Sequence, residues 1–166
     1  MIYLSSDLHL GHNKSFIYEP RGFQSAQQNV DAIFHRFNIT LQEEDDLYLL
    51  GDNLVGPDSD IYTNYLQALP CNLHLLWGNH DSDRRKGMLS KLPNVVETLG
   101  HGAILKYKKW RFLLTHYPCL TANYDDYNKP LRARLWNLHG HTHSQNSFEF
   151  MNKGWQSYNV SVDAHD

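Results

Sequence analysis

Five short blocks of Asp, Asn and His, each closing an apolar run, constrain this chain more than any other feature. In order they are Asp7-Leu8-His9, Gly51-Asp52-Asn53, Gly78-Asn79-His80-Asp81, Thr115-His116 and Gly140-His141-Thr142-His143. Polar residues of one kind that recur wherever an apolar run stops describe strands whose ends share a destination. Asp7 and His9 stand two residues apart, so an extended chain turns both side chains the same way, and His141 and His143 repeat that spacing.

The runs between the blocks set the element order. Ile2–Ser6, Leu47–Leu50 and Leu73–Trp77 read as short buried strands. Between the first two, Ser25 with Gln28 three residues on forms a capping box. Val30, Ile33, Phe34, Phe37 and Leu41 follow at helical spacing, which predicts an amphipathic helix over 26–39. Ile61, Tyr62, Tyr65, Leu66 and Leu69 make a second helical face, stopped by Pro70. Strand, helix, strand, helix, strand is the grammar of a parallel sheet.

The second half reads differently. Val95–Leu99, Ala103–Tyr107, Arg111–Thr115, Trp136–His139, Phe148–Met151 and Tyr158–Val162 are closely spaced β runs. Lys108-Lys109 and Asn152-Lys153-Gly154 are turn signals between them. A change from βαβ units to hairpins predicts two sheets packed as a sandwich with helices on the outer faces.

Composition sets limits. At 166 residues, 41% of them hydrophobic, the chain suits one domain with a real core, taken as residues 1–166. A net charge of −3 demands neither nucleic acid nor an anionic membrane as partner. No apolar run approaches the roughly 18 residues of a membrane span. Two cysteines, Cys71 and Cys119, are too few for a disulfide framework and read as reduced thiols of a cytoplasmic protein. The N-terminus has no basic segment ahead of its apolar run, so no signal peptide is expected.

The donor types in the blocks are chemically selective. Asp7, His9, Asp52, Asn79, His116, His141 and His143 make a mixed nitrogen and oxygen set without sulfur. Such a set suits Mn²⁺, with Fe²⁺, Zn²⁺, Ni²⁺ and Mg²⁺ as alternatives, and not Ca²⁺, which prefers all-oxygen cages. Seven donors exceed the needs of one tetrahedral ion and suit two divalent ions that share a carboxylate. Two such ions against two carboxylates leave a positive site, which attracts a phosphate ester.

Together, Asp7-x-His9, Gly51-Asp52, Gly78-Asn79-His80-Asp81, His116 and Gly140-His141-x-His143 resemble the signature of the calcineurin-like metallophosphoesterases. The opening Asp7-Leu8-His9-Leu10-Gly11-His12 and the stretch Trp136-Asn137-Leu138-His139-Gly140-His141 resemble a small bacterial and phage subgroup without cap domains. The stretch Asn159-Val160-Ser161-Val162-Asp163 resembles the strand that closes such domains. The resemblance implies a four-layer αββα sandwich of two mixed sheets flanked by helices. It implies that Asp7, His9 and His143 hold one ion, that Asn79, His116 and His141 hold the other, and that Asp52 bridges them. His80 is then the catalytic residue, protonating the leaving oxygen or stabilising the transition state, with Asp81 in support. The implied reaction is hydrolysis of a small phosphodiester or phosphomonoester, nucleotide-like or cyclic, by a metal-bound hydroxide. A scaffold or interaction module on the same fold is the alternative, and the presence of His80 and of every ligand type argues against it.

The chain departs from the family pattern after Asp52, where Asn53 follows and no acidic residue appears before Asp58. Outside the blocks, His12 and Arg21 are candidate substrate-binding residues, and Arg132 and Arg134 are further candidates. Arg84-Arg85-Lys86 is placed to steer phosphate or to start a solvated helix, and Tyr117, Tyr124 and Tyr127 to line a pocket or to pack. These basic groups leave a polynucleotide substrate open without arguing for it.

Overall fold

The computed structural model describes residues 1–56, 59–119, 135–149 and 156–165. The first half alternates as expected: β1 (Ile2–Ser5), a one-turn helix α1 (Ser15–Tyr18), α2 (Ala26–Thr40), β2 (Asp46–Leu50), α3 (Ser59–Gln67), β3 (Asn72–Leu76), α4 (Asp83–Leu89) and β4 (Val95–Thr98). The second half contributes β5 (Gly102–Tyr107), β6 (Trp110–Thr115), β7 (Leu135–His139) and β8 (Ser157–Asn159).

Two four-stranded sheets result, ordered β1-β2-β3-β4 and β5-β6-β7-β8. In the first, every pairing is parallel and the strands are added in chain order. Right-handed crossovers that always advance in one direction deliver their helices to one face. Val30, Phe34, Leu66 and Leu89 of those helices are buried there against Leu47, Leu49, Leu73 and Leu75. The alternate residues Leu50 and Leu76 point the other way and join Leu114, Leu138 and Val160 in a core between the sheets. Strand periodicity thus divides one run of leucines between two cores.

The second sheet is mixed. Among the described residues only β5 and β6 form an antiparallel hairpin, through a turn in which Lys108 takes a φ of 54°. β7 and β8 run parallel to β6. Four expectations are corrected here. Val95–Leu99 belongs to the first sheet rather than to the hairpins, because α4 intervenes and returns the chain parallel to β3. Among the described residues the hairpin series reduces to one hairpin, and the first sheet is wholly parallel rather than mixed. Phe148 and Glu149 lie in a turn instead of a strand, and the remainder of that run and the Asn152-Lys153-Gly154 turn lie outside the described residues.

Helix α2 starts where its cap dictates. The Ser25 hydroxyl accepts from the Gln28 N–H at 3.2 Å, while the Gln28 side chain reaches past Ser25 to accept from the Gln24 N–H at 2.9 Å. After β8 the chain leaves the second sheet. Ser161 bridges Ser6 in parallel, and the Val162 N–H donates to the Ser6 carbonyl at 3.1 Å. That crossing ties one edge of the sandwich together. Among the described residues no helix is long and apolar enough to cross a membrane.

Candidate metal centre

All five blocks meet at one end of the sandwich. They leave the C-terminal ends of β1, β2 and β3 in the first sheet and of β6 and β7 in the second. Parallel pairing within each sheet puts those ends side by side, and the packing of the sheets brings the two rows together.

The backbone there is unusual. Among the described residues six non-glycine residues have positive φ, namely Asp7, His9, Asp52, Lys108, His141 and His143. Five of the six are candidate ligands, with φ from 48° to 70°. Left-handed conformations are costly for residues with a Cβ and concentrate at functional sites. Glycines admit the crowding there. A Cβ on Gly78 would collide with the Asp52 carboxylate, and one on Gly140 with Asp7 and Ser6.

The donor atoms form two neighbouring groups. Asp7, His9 and His143 each offer one ligand atom, and these lie within 4.8 Å of one another, as do those of Asp7, Asp52 and His116. The Asp52 Oδ2 lies 3.6 Å from His9 Nε2 and 3.4 Å from His116 Nε2, so it stands between the groups. Asp7 belongs to both. On the second side the Asn79 Oδ1 is 3.0 Å from His116 Nε2 and 3.1 Å from His141 Nδ1. The backbone carbonyl of Leu50 accepts from His116 Nδ1 at 3.0 Å, which leaves Nε2 facing the centre.

These donors fit divalent cations. Asp7 Oδ1 and both ring nitrogens of His9 are buried without a hydrogen-bond partner. Leaving such groups unsatisfied costs about 1–3 kcal/mol each. A cation among them removes that cost, and the donors are the nitrogen and oxygen types that borderline divalent metals favour.

His80 occupies the rim. Its N–H donates to Asp52 Oδ1 at 2.8 Å, and its ring, half-exposed, brings Nε2 to 3.9 Å from Asp52 Oδ2. Asp81 turns inward and is 3% exposed. Its carboxylate accepts from the N–H groups of Asp52 (2.8 Å), Gly78 (2.9 Å) and Asn53 (3.2 Å), which locks the β2 and β3 turns to each other.

Electrostatics follows from this crowding. Burial pushes the Asp7 and Asp52 carboxyls up, but the imidazoles around them, with N–H donors from His141 and His80, outweigh it and hold both below the usual carboxylate range. Burial lowers His116, yet Asp52 and Asp7 raise it above an ordinary imidazole. His141 is lowered, by burial first and by His116 next. Burial and the neighbouring Asp52 charge raise Asp81 despite its three backbone donors.

The remaining candidates fall elsewhere. His12 is partly exposed beside the centre, its ring edge-on to His9 at 5.8 Å and to the exposed Phe16 at 5.3 Å. Arg21 turns away from solvent. Its side chain is 4% exposed and is engaged by Asp163 and by the Asp7 carbonyl, so its guanidinium faces the protein instead of a substrate. Arg84 pairs with Asp60 and Lys86 with Asp83, while Arg85 donates to the carbonyls of His80 and Gly56. Tyr117, exposed at the rim, packs edge-on to His141 with ring centroids 4.4 Å apart. Tyr124, Tyr127, Arg132, Arg134 and Asp58 lie outside the described residues. Sequence reasoning gave Asp163 no role in the site. Its only signal there was its place at the end of the closing strand.

Comparison with known proteins agrees with this arrangement. The family model described as calcineurin-like phosphoesterase matches residues 1–155. No curated protein matches. Among solved structures, a protein of unknown function from Aquifex aeolicus is similar at 25% identity and a TM-score of 0.72, covering 98% of this chain and 90% of its own. A novel archaeal phosphodiesterase, at 18% identity and a TM-score of 0.53, covers 95% of this chain and 81% of its own, a likeness of fold. With the family model spanning nearly the whole sequence and the five Asp, Asn and His blocks converging at the strand ends, the chain belongs to the calcineurin-like phosphoesterases.

Proposed function

We propose that this protein is a dinuclear metal-dependent hydrolase of small phosphate esters, with diesters such as nucleotide-like or cyclic phosphates preferred over monoesters. The observation that carries the reading is the buried, unpartnered Asp7 Oδ1 and His9 ring facing Asp52 and His143 across less than 4 Å. Such a cluster is costly without a cation and favourable with one.

In this reading Asp7, His9 and His143 hold one ion, Asn79, His116 and His141 hold the second, and Asp52 spans both. Manganese heads the candidate ions. When bound, the ions neutralise phosphate charge and lower the pKa of water. The protein's own residues do the rest. Asp81 keeps the Asp52 and Gly78 turns at fixed separation, so the bridging carboxylate cannot drift. His80 presents Nε2 at the open rim and passes its proton to the departing ester oxygen as the P–O bond breaks. An alkoxide leaving group, released by diester and monoester alike, gains from that proton.

The test is turnover of bis-p-nitrophenyl phosphate and p-nitrophenyl phosphate by metal-stripped protein, with Mn²⁺, Ni²⁺, Zn²⁺ and Mg²⁺ restored in turn. Metal-dependent release of nitrophenol, faster on the diester, is expected. Protein that takes up no metal ion would sink the reading. Bound metal without turnover on either ester would shift it to the scaffold alternative.

A further inference from the structure

We infer that Arg21 and Asp163 are positioning residues that hold His143 in the one tautomer able to bind a metal through Nε2. This rests on the reading of His143 as a ligand given above.

The geometry is specific. His143 Nδ1 lies 2.9 Å from Asp163 Oδ2. Asp163 is gripped by Arg21, with Nε to Oδ1 at 2.8 Å and Nη2 to Oδ2 at 3.0 Å. The same Nη2 donates to the Asp7 carbonyl at 2.9 Å. Arg21 and Asp163 side chains are 4% and 7% exposed. The far nitrogen of the ring, Nε2, points to Asp7 Oδ1 at 3.9 Å.

A neutral imidazole carries one N–H and one lone pair. An ionised carboxylate only accepts, so Asp163 places the proton on Nδ1 and leaves the Nε2 lone pair facing Asp7 and His9. A ligating histidine whose other nitrogen donates to a carboxylate is a recurring arrangement that fixes ring orientation and strengthens the ligand. What this chain adds is the brace behind the carboxylate. The planar fork of arginine meets both Asp163 oxygens and keeps a donor for Asp7, a geometry a lysine ammonium cannot reproduce. One guanidinium thereby joins the backbone of one ligand to the side chain of another, although Asp7 and His143 stand at opposite ends of the sequence. Asn159 completes the support, donating to Thr142 Oγ1 at 3.3 Å and to the Ser144 carbonyl at 3.2 Å on either side of His143.

A buried ion pair contributes little net stability when compared with apolar replacements, so unfolding data alone cannot separate positioning from scaffolding. The test therefore reads the ring. In metal-free protein labelled with ¹⁵N at histidine, at a pH where the ring is neutral, His143 is expected as the Nδ1–H tautomer. Asp163→Ala should yield a mixture, and Asp163→Asn, which keeps an acceptor oxygen, should restore much of the original signal. Zn²⁺ affinity, measured by competition with a chromophoric chelator, should fall about 10- to 100-fold in Asp163→Ala and by less in Arg21→Lys.

An Nε2–H tautomer in the unmodified protein would overturn the inference. So would a folded Asp163→Ala protein with unchanged tautomer and affinity. If the Asp163 variants do not fold, the unmodified ring and Arg21→Lys decide: unchanged zinc affinity in Arg21→Lys overturns the role of Arg21. Because the tautomer is read without metal, a protein that binds no ion would refute the proposed function while leaving the test of the Asp163–His143 pair intact.

Discussion

At the scale of single residues, the proposed reading separates groups that would hold metal from a group that would move a proton. His80 donates its N–H to Asp52 but keeps its ring at the rim, whereas Asp52 is 1% exposed between the two donor groups. His80→Ala should therefore reduce turnover by about 10²-fold or more with metal content unchanged. Asp52→Asn should reduce both turnover and metal content. Turnover on a diester with an alkoxide leaving group, beside metal analysis of the same samples, checks this, and full metal content with normal turnover in Asp52→Asn would refute the bridging role. Gly78 gives an independent probe. An added Cβ there meets the Asp52 carboxylate, so Gly78→Ala should weaken metal binding by at least about tenfold while the core stays intact. Wild-type affinity in that variant would mean that Asp52 has room to move.

At the scale of elements, Asp81 shows how a block supports its neighbours. Its carboxylate is the acceptor for three buried N–H groups on two different turns. Asp81→Ala should strand all three and lower the stability of the metal-free protein by about 3 kcal/mol or more. Asp81→Asn, which retains one oxygen, should fall between. Urea unfolding checks both, and a loss under 1 kcal/mol in the alanine variant would mean that water or a shifted turn replaces the carboxylate. The elements also show what a sequence can disclose. Strands β1, β2 and β3 and helix α2 were legible because apolar spacing and a capping serine mark them locally. The assignment of β4 was not, since Val95–Thr98 carries the same short β signal whether it joins a hairpin or a parallel sheet. The difference lies in α4, whose Asp-Arg-Arg-Lys start reads as a solvated charge run although Ser82 caps it and Leu89 is buried. The contact between Arg21 and Asp163 was not legible for a related reason. Their partnership spans a separation of 142 residues, and no local pattern announces a contact of that range.

At the scale of the molecule, the two sheets meet in an apolar core along their length and in polar ligands at one end. Asp7, His9, Asp52 and Asn79 follow strands of the first sheet, and His116, His141 and His143 follow strands of the second. In the proposed reading, ions bound among them would join both sheets and would bind only the folded chain, since the unfolded chain scatters the donors. By linkage, free metal at about 100 times its dissociation constant stabilises the fold by about 2.7 kcal/mol per site. For a chain of this size each kcal/mol moves the melting temperature by roughly 2–4 °C. Metal removal with a chelator should then lower the melting temperature by about 5–10 °C for one site, and more if both sites empty. Ca²⁺ should restore little of it, because imidazole donors suit it poorly. His143→Ala removes a ligand from only one donor group, so it should lose part of the metal-dependent rise and keep the rest. Scanning calorimetry with and without metal checks this. A melting temperature indifferent to chelator would mean that the donors do not join the sheets through an ion. Loss of the entire rise in His143→Ala would mean that the two donor groups bind as one unit, with Asp52, which stands between His9 and His116, as the link between them.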